Sequence, residues 1–288
     1  MILVTGATGT VGREVLRRLP PGLRVRAMAR EPARVAGAGA AVQAVAGDYR
    51  DARSLAGALA GVRTAFLVTT DVVTTDEGGG DDGRFLRAAR AAGVRRVVKL
   101  SAAAVLDGRA DDLITRRQRA NEDLLRACGL QWTLLRPRAF ASNALLWAPS
   151  VRRERVVRAL YGTSGNACVD PRDVAEVAAR VLTEEGHAGC AYTLTGPEAV
   201  TAAGQTGQLG RLLGVALRFE ELTVDEARAA LAARYPAPVV EALLQSAERQ
   251  RAGAKAGVQE TVAELTGRPA NTFGAWAGDH LAAFAPGG

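Results

Sequence analysis

The chain of 288 residues is long enough for one large α/β domain, or for one domain with an appended lobe. It is 48% hydrophobic and 23% charged, which is ordinary for a packed globular protein and excludes disorder as its main state. It has no apolar run of membrane-spanning length, begins without a secretory signal pattern, and carries three widely spaced cysteines and two histidines. These features predict a cytoplasmic protein without a metal site, a disulfide framework or membrane contact.

The net charge is +7, and 35 of the 37 basic residues are arginines. Coding bias and function are both consistent with this excess of arginine. The two tightest basic clusters, at residues 116–119 and 152–155, contain no interleaved aromatic residues. A solvated helix face explains them as well as nucleic acid does. The charge therefore does not predict a nucleic-acid partner, but it leaves an anionic small ligand open.

Short apolar runs alternate with helical patterns through the first half of the chain. The predicted strands are Ile2–Thr5, Arg24–Ala29, Ala41–Val45, Thr64–Val68, Arg96–Leu100 and Thr133–Arg136. The predicted helices are Val11–Leu19, Ser54–Ala60, Asp81–Ala92 and Leu113–Cys128. Strands of nearly continuous apolar residues, each followed by a helix, indicate a doubly wound parallel sheet of Rossmann type that is covered on both faces.

The alternation loosens after Pro137, where helical patterns dominate. Strands are predicted at Ala191–Leu194 and Leu217–Leu222, and helices at Asp173–Thr183, Asp225–Ala233 and Pro238–Gln250. This pattern predicts a Rossmann domain over residues 1–137 and a small, mostly helical substrate lobe over residues 138–288. Because no linker separates the two parts, we expect them to share one core across a soft boundary.

A glycine-rich turn follows the first strand directly and opens the first helix. It reads Gly6-Ala7-Thr8-Gly9-Thr10-Val11-Gly12. In this context the first glycine permits the tight turn, the second lets the backbone approach a pyrophosphate, and the third allows close packing of helix on strand. The N–H groups and positive dipole of the helix N-terminus favour phosphate. The turn therefore predicts dinucleotide binding by Gly6, Thr8, Gly9, Thr10, Val11 and Gly12.

The end of the second strand indicates which dinucleotide is bound. An acid about 20 residues after the glycine turn binds the ribose 2′-hydroxyl of NAD, whereas an arginine accommodates the 2′-phosphate of NADP. The strand ends Ala29-Arg30-Glu31, with Arg34 one turn later. Because the guanidinium of Arg30 can fork onto a phosphate, NADPH is the predicted cofactor. Glu31 is expected to point to solvent.

Further cofactor contacts are predicted at the carboxyl ends of the later strands, where open sheets bind their ligands. Asp48, followed by Tyr49, comes after the third strand, where an acid can hold the adenine amino group or cap the next helix. Thr69 and Thr70 end the fourth strand. Lys99, in the fifth strand, is assigned a structural or cofactor-contact role rather than acid catalysis.

Several short motifs together resemble the atypical short-chain dehydrogenase/reductases, and within them the NmrA-like group. They are residues 4–12, Ala29-Arg30, Gly47-Asp48, Val98-Lys99-Leu100-Ser101, Leu135-Arg136-Pro137, Phe140-x-x-Asn143, 169–175 and 192–197. The resemblance implies a Rossmann domain that binds NADP(H), a C-terminal substrate lobe, and a position near the nicotinamide for Phe140 and Asn143. The group includes NADPH:quinone oxidoreductases and the non-catalytic regulator NmrA, so the resemblance alone does not decide the activity.

The catalytic pair of the wider superfamily, Tyr-x-x-x-Lys, is missing from this sequence. No tyrosine has a lysine four residues later, and the helix that should carry the pair offers Gln118 instead. Ser101, at the end of the fifth strand, could donate a hydrogen bond to a developing alkoxide or satisfy a turn. Gln118 could hydrogen-bond to a substrate, although an amide cannot supply a proton. Ser101 and Gln118 are the predicted catalytic residues.

A substrate that stabilises its own product oxyanion can forgo the general acid, which otherwise contributes about 10²- to 10⁴-fold in rate. Quinones and phenol-bearing aromatic ketones do so. Phe140, Asn143 and Trp147 are the predicted substrate contacts, although an apolar-aromatic stripe is more often core. The sequence thus predicts an NADPH-dependent reductase of an aromatic quinone or ketone, including an antibiotic-pathway ketoreductase. The alternative is a non-catalytic NADP(H)-sensing regulator, and the oligomeric state is not predicted.

Overall fold

The computed structural model describes residues 1–35, 42–69 and 80–285. The chain divides into two compact units. The first comprises residues 1–105, 116–136 and 171–193, and the second comprises residues 106–115, 137–170 and the chain from residue 194 onward. The chain therefore leaves the first unit and returns to it, whereas the predicted division is a single boundary at residue 137.

The helices and strands alternate as in the predicted order through the first half of the chain. Within the described residues, the strands are β1 (Ile2–Val4), β2 (Val25–Ala29), β3 (Val42–Ala46), β4 (Thr64–Leu67), β5 (Arg96–Leu100), β6 (Gln131–Pro137), β7 (Val156–Ala159), β8 (Cys190–Leu194) and β9 (Arg218–Glu221). The α-helices are α1 (Thr10–Arg18), α2 (Ala52–Leu59), α3 (Gly80–Ala91), α4 (Leu113–Ala127), α5 (Ala148–Glu154), α6 (Pro171–Thr183), α7 (Ala202–Leu213), α8 (Val224–Ala232), α9 (Ala237–Arg251), α10 (Thr261–Thr266) and α11 (Phe273–Asp279). Short 3-10 helices lie at Pro32–Arg34, Ala103–Leu106, Ala141–Trp147 and Leu281–Ala283.

The sheet of the first unit has the order β3-β2-β1-β4-β5-β6-β8 among the described residues. The neighbouring strands from β3 to β6 run parallel to one another. The strand order reverses between β1 and β4, so the carboxyl ends of these two strands border the crevice in which doubly wound sheets bind ligands. The predicted doubly wound sheet of Rossmann type is confirmed.

The core of the first unit explains why its strands read as continuous apolar runs. Every residue of β1 is buried, as are the last three of β4. Helix α1 packs against α6, and α2 packs against α3. Leu55 of α2 and Phe85 of α3 join the sheet residue Leu134 in one buried cluster. Burial on both faces removes the polar alternation that a half-exposed strand would show.

The second unit is mostly helical, as predicted. Its two strands, β7 and β9, pair in parallel, and Phe219 of β9 lies against Gly162, where a Cβ would come within 2.1 Å of the ring. A buried cluster around Phe273 and Trp276 forms its core. The sequence predicted β9 but not β7, α5 or α7. In the described part of the chain, no helix combines the length and apolarity needed to cross a membrane.

Candidate active site

The glycine-rich turn between β1 and α1 has the geometry of a phosphate cradle. Gly6 has a φ of +60°, and a Cβ there would lie 2.9 Å from the Cβ of Val68. A Cβ on Gly12 would lie only 2.2 Å from the carbonyl oxygen of Gly6. Both positions therefore exclude a side chain, the first through its left-handed backbone and the second through close packing of α1 on the turn.

The amino end of α1 offers polar backbone groups to a ligand. Thr8, Gly9 and Thr10 are exposed, and Gly9 caps the helix without a side-chain hydrogen bond. The first turn of α1 has no acidic residue, so nothing there opposes the positive end of the helix dipole. Val11 is buried and can contribute only through its backbone. The residues present fit a dinucleotide pyrophosphate.

The two predicted arginines at the end of β2 differ in their surroundings. Arg34 lies 3.5 Å from the Glu31 carboxylate, and both side chains are exposed. Arg30 is also exposed and makes no side-chain hydrogen bond or ion pair to any described residue. Glu31 therefore engages Arg34 rather than Arg30. Among the described residues, nothing occupies the donors of the Arg30 guanidinium, which could therefore bind an anion.

The structure separates the two roles considered for Asp48. Helix α2 is capped by Asp51, whose carboxylate accepts hydrogen bonds from the backbone N–H groups of Arg53 and Ser54. Asp48 accepts one hydrogen bond, from the backbone N–H of Arg50 at 2.8 Å. Asp51 rather than Asp48 therefore caps the helix, and the adenine contact of Asp48 stays a prediction.

The Tyr49 side chain is committed to the protein. Its hydroxyl donates a hydrogen bond of 2.7 Å to the carbonyl of Val68, and its ring meets Phe85 edge to face. Burial raises the pKa of the Tyr49 phenol well above its usual value. Tyr49 thus ties the loop after β3 to the end of β4, a structural role that sequence reasoning did not assign to it.

Lys99 lies in a closed polar cluster between β5 and α3. It is fully buried, and its Nζ lies 2.5 Å from Asp82 Oδ1 and 3.4 Å from Thr69 Oγ1. The other oxygen of Asp82 accepts hydrogen bonds from Thr69 Oγ1 at 2.6 Å and Asn121 Nδ2 at 2.9 Å. The ammonium is therefore neutralised inside the protein, which favours the structural role over a cofactor contact. Thr70 lies outside the described residues.

The hydroxyl of Ser101 is already used in a hydrogen bond inside the protein. Ser101 Oγ donates to Glu122 Oε1 at 2.6 Å, and Glu122 also accepts hydrogen bonds from Arg136 and Arg126. Burial alone would raise the pKa of Glu122, but the hydrogen bonds from Arg136 and Ser101 lower it overall. The carboxylate therefore stays ionised and remains the acceptor of the hydrogen bond that the Ser101 hydroxyl donates. In this arrangement the Ser101 hydroxyl is engaged by Glu122, and its catalytic role stays a prediction.

Gln118 lies one turn before Glu122 on α4. Its side-chain oxygen Oε1 is buried and has no hydrogen-bond partner in the described part of the chain. A buried carbonyl oxygen without a donor carries an uncompensated desolvation cost. Of the two predicted catalytic residues, Gln118 is thus the one with unused hydrogen-bonding capacity.

The predicted substrate contacts surround the 3-10 helix Ala141–Trp147 of the second unit. Phe140 is half-buried and bridges to Val169, while Asn143 is exposed and its side chain has no partner among the described residues. Trp147 packs against the buried cluster of this unit. Its indole is therefore at least partly core, whereas the Asn143 amide is available to a ligand.

Sequence reasoning missed three residues that organise this site: Asp82, Asn121 and Glu122. Each is buried and polar. Asp82 and Glu122 contact the predicted candidates Lys99 and Ser101, and Asn121 donates a hydrogen bond to Asp82. The detectable signal was weak. Asp82 looks like an ordinary acid in the first turn of α3, and Asn121-Glu122 looks like the polar face of an arginine-rich helix. Only the packing of α3 and α4 on the sheet shows that these side chains point inward.

Comparison with known proteins agrees with this geometry. A family model described as NAD(P)H-binding matches residues 6–185. A (4-alkanoyl-5-oxo-2,5-dihydrofuran-3-yl)methyl phosphate reductase of Streptomyces griseus is 58% identical over 286 residues, which is 99% of this chain and 100% of the relative. An NAD(P)H azoreductase of Xenophilus azovorans is 34% identical over 290 residues, or 99% of each chain.

A solved structure extends the comparison to the cofactor. The NADPH-dependent quinone oxidoreductase of Escherichia coli, solved in complex with NADPH, aligns with a TM-score of 0.84 and 28% identity over 98% of this chain and 99% of its own. The predicted resemblance to quinone oxidoreductases and the predicted NADPH dependence are confirmed. All three of these proteins are named as reductases or oxidoreductases. The chain therefore belongs to the NAD(P)H-binding family, and it is an NADPH-dependent oxidoreductase.

Proposed function

We propose that this enzyme reduces a 4-acyl-5-oxo-2,5-dihydrofuran that carries a phosphorylated hydroxymethyl group on ring carbon C3. The observation that carries this proposal is the 58% identity, along the full length of both chains, to the Streptomyces griseus reductase named for such a compound. The relatives named for azo compounds or quinones are at 34% identity or below. The substrate is thus an activated carbonyl compound, but it is not aromatic.

The chemistry of this substrate explains how the enzyme could work without the Tyr-Lys pair that supplies a general acid in the wider superfamily. The C3=C4 double bond is conjugated with both the lactone carbonyl and the acyl carbonyl. When C3 accepts a hydride, the π electrons move to C4 and spread over both carbonyl oxygens as an enolate. A proton from water then adds to C4, which gives the saturated lactone. Because the substrate itself stabilises the negative charge, the protein needs no Tyr-Lys pair.

We assign the cofactor to the glycine-rich turn and its neighbours. The N–H groups of residues 8–12 would hold the pyrophosphate, Arg30 the 2′-phosphate and Asp48 the adenine amino group. Bound there, NADPH supplies the hydride. Gln118 would orient the substrate through its amide group, since that amide is not fully used inside the protein. Its contribution is positioning of the reacting carbon rather than proton transfer.

An aromatic acceptor is the second candidate. The specific observation in its favour is the similarity to the NADPH-dependent quinone oxidoreductase of Escherichia coli, which extends over 98% of this chain. A quinone also stabilises the charge that hydride transfer produces, so the absent acid does not discriminate between the two substrates. The conjugated furanone is favoured because of the much higher identity of its reductase.

The test is NADPH consumption with a synthetic 4-acyl-3-(phosphooxymethyl) furanone, compared with a panel of quinones. We expect turnover of the furanone with NADPH, a much lower rate with NADH, and slower turnover of quinones. NADPH carrying deuterium at the hydride position should place deuterium on C3 of the product. Turnover of quinones alone would replace the proposal by the second candidate, and deuterium on the acyl carbon would show carbonyl reduction instead.

A further inference from the structure

The second unit contains a group of cations that the dinucleotide site does not use. Arg138 follows β6, Arg249 lies near the end of α9, and Lys255 lies four residues after that helix. Two acids, Asp107 and Asp112, belong to the same unit. We call these five residues the cation cluster. Three positive charges and two negative ones leave it with a net charge of +1.

The two acids of the cation cluster are engaged by Arg249. Arg249 Nη2 lies 2.6 Å from Asp112 Oδ2, and Arg249 Nε lies 3.6 Å from Asp107 Oδ2. Asp112 also accepts hydrogen bonds from the backbone N–H and the hydroxyl of Thr115. Arg249 is thus neutralised by carboxylates. Both acids also accept hydrogen bonds from backbone N–H groups.

Arg138 has no such partner. Its only side-chain hydrogen bond among the described residues runs from Nη1 to the carbonyl of Ala254 at 3.2 Å, and no carboxylate lies within ion-pair distance. Its Nε is buried and unpartnered. Burial lowers the pKa of the guanidinium, and the more distant charge of Asp107 opposes this only in part. A guanidinium normally presents five donors, so most of its capacity faces no protein acceptor.

Lys255 is the second cation without a carboxylate. Its Nζ donates a hydrogen bond of 2.9 Å to Ser246 Oγ, and it forms no ion pair with a described residue. Burial, together with the charges of Arg249 and Arg138, lowers the pKa of Lys255 to about 8, while Asp112 acts in the opposite direction. Two neighbouring, partly buried cations that repel each other are costly unless an anion offsets them.

We propose that Arg138 and Lys255 bind the phosphate group of the substrate. The inference rests on the proposed function, since the phosphomonoester belongs to that substrate. Arg138 and Lys255 are two partly buried cations that form no ion pair with a carboxylate among the described residues. A phosphate dianion matches the two positive charges. Its oxygens can accept two parallel hydrogen bonds from the guanidinium of Arg138 and one from the ammonium of Lys255. Arg249, held by Asp112 and Asp107, would fix the position of the site.

The experiment compares the phosphorylated furanone with its free alcohol in wild-type enzyme and in the Lys255→Met and Arg138→Gln variants. We expect each substitution to lower kcat/KM for the phosphorylated substrate by about 10- to 100-fold, the worth of one or two charge-assisted hydrogen bonds. Turnover of the alcohol should be unchanged, because it lacks the group that the cations bind. Arg234→Met, which removes an exposed arginine of the same unit, is the control and should alter neither rate.

Calorimetry provides a readout that does not depend on turnover. At pH 8, binding of the phosphorylated substrate to wild-type enzyme should take up protons, because the anion favours the charged form of Lys255. Lys255→Met should bind it more weakly and lose that uptake. Lys255→Arg, which keeps the positive charge, serves as the second variant if Arg138→Gln does not fold, and it should retain most of the phosphate preference.

Three outcomes would overturn the proposal. Wild-type enzyme could use the alcohol as well as the phosphate ester, or the variants could lose both substrates equally. The variants could also raise KM for NADPH alone, which would assign the cations to a cofactor phosphate. Failure of the proposed function looks different, since wild-type enzyme would then reduce neither form of the furanone.

Discussion

The chain has two lysines, and they lie in opposite electrostatic settings. Lys99, in the first unit, is fully buried and paired with Asp82 at 2.5 Å. Lys255, in the second unit, is partly buried beside Arg138 and has no carboxylate partner among the described residues. A buried charge that is neutralised by the protein serves the fold, whereas one that is left unneutralised is available to a ligand. The same residue type therefore has different consequences in the two units.

The largest expected effect comes from breaking the pair in the first unit. Asp82→Asn would leave the ammonium of Lys99 buried without a counterion, and we expect the free energy of unfolding to fall by about 3–5 kcal/mol. Urea denaturation measures this change. The double variant Lys99→Met/Asp82→Leu should recover most of the loss, since it removes both charges. A loss as large as that of Asp82→Asn in the double variant would mean that packing, not charge, is responsible.

The next effect tests whether Ser101 belongs to the fold or to catalysis. Ser101→Ala removes a hydrogen bond to the ionised Glu122, so the free energy of unfolding should fall by about 1.5–3 kcal/mol. At a temperature where the variant is folded, kcat should stay unchanged because the serine proton is already committed to Glu122. A clear loss of kcat with little loss of stability would restore Ser101 as a catalytic donor.

The pH dependence of the free energy of unfolding tests whether Lys255, unlike Lys99, is left unneutralised in the folded protein. Its pKa is lowered from 10.5 to about 8 in the folded protein. Well below pH 8 the lysine is protonated in both the folded and the unfolded chain, and the folded state bears the full cost. Between about pH 8 and 10.5 the unfolded chain binds more protons, so stability should rise with pH. After discounting for solvent screening, we expect a gain on the order of 2 kcal/mol relative to Lys255→Met. Identical pH profiles of the two proteins would contradict the unneutralised state of Lys255.

The smallest expected effect concerns the two arginines after β2. Arg30→Ala should raise KM for NADPH about tenfold and leave KM for NADH unchanged, because it removes a contact to the 2′-phosphate only. Arg34→Ala should change both constants little, since this exposed arginine is already paired with Glu31. The reverse result would assign the 2′-phosphate to Arg34.

Much of the first unit was predictable because its signals are local. The glycine turn lies between a buried strand and a helix, and the strands from β1 to β6 appear in the sequence as short, mainly apolar runs. The missed strand β7 had no such signal. It follows the charged end of α5, and its partner β9 lies about 60 residues later in the chain. Its pairing is therefore decided by packing within the second unit.

The polar contacts of the site depend on distances that a sequence does not display. Asp82 precedes Lys99 by 17 residues and reaches it only because α3 packs on the sheet beside β5. The same applies to Ser101 and Glu122. Arg138 and Lys255 are separated by more than a hundred residues, and each alone looks like an ordinary solvated cation. Their shared lack of carboxylates appears only in the folded chain.

The low pKa of Lys255 also has a consequence for covalent chemistry. With a pKa of about 8, about a quarter of this amine is neutral at pH 7.5, and the neutral amine is the form that attacks electrophiles. Lys99 is sealed from solvent and paired with Asp82, so we expect it to stay inert. Of the two lysines, an amine-selective reagent should thus modify Lys255 alone. The rate of that labelling, with and without a bound phosphate ester, would report directly on occupancy of the cation cluster.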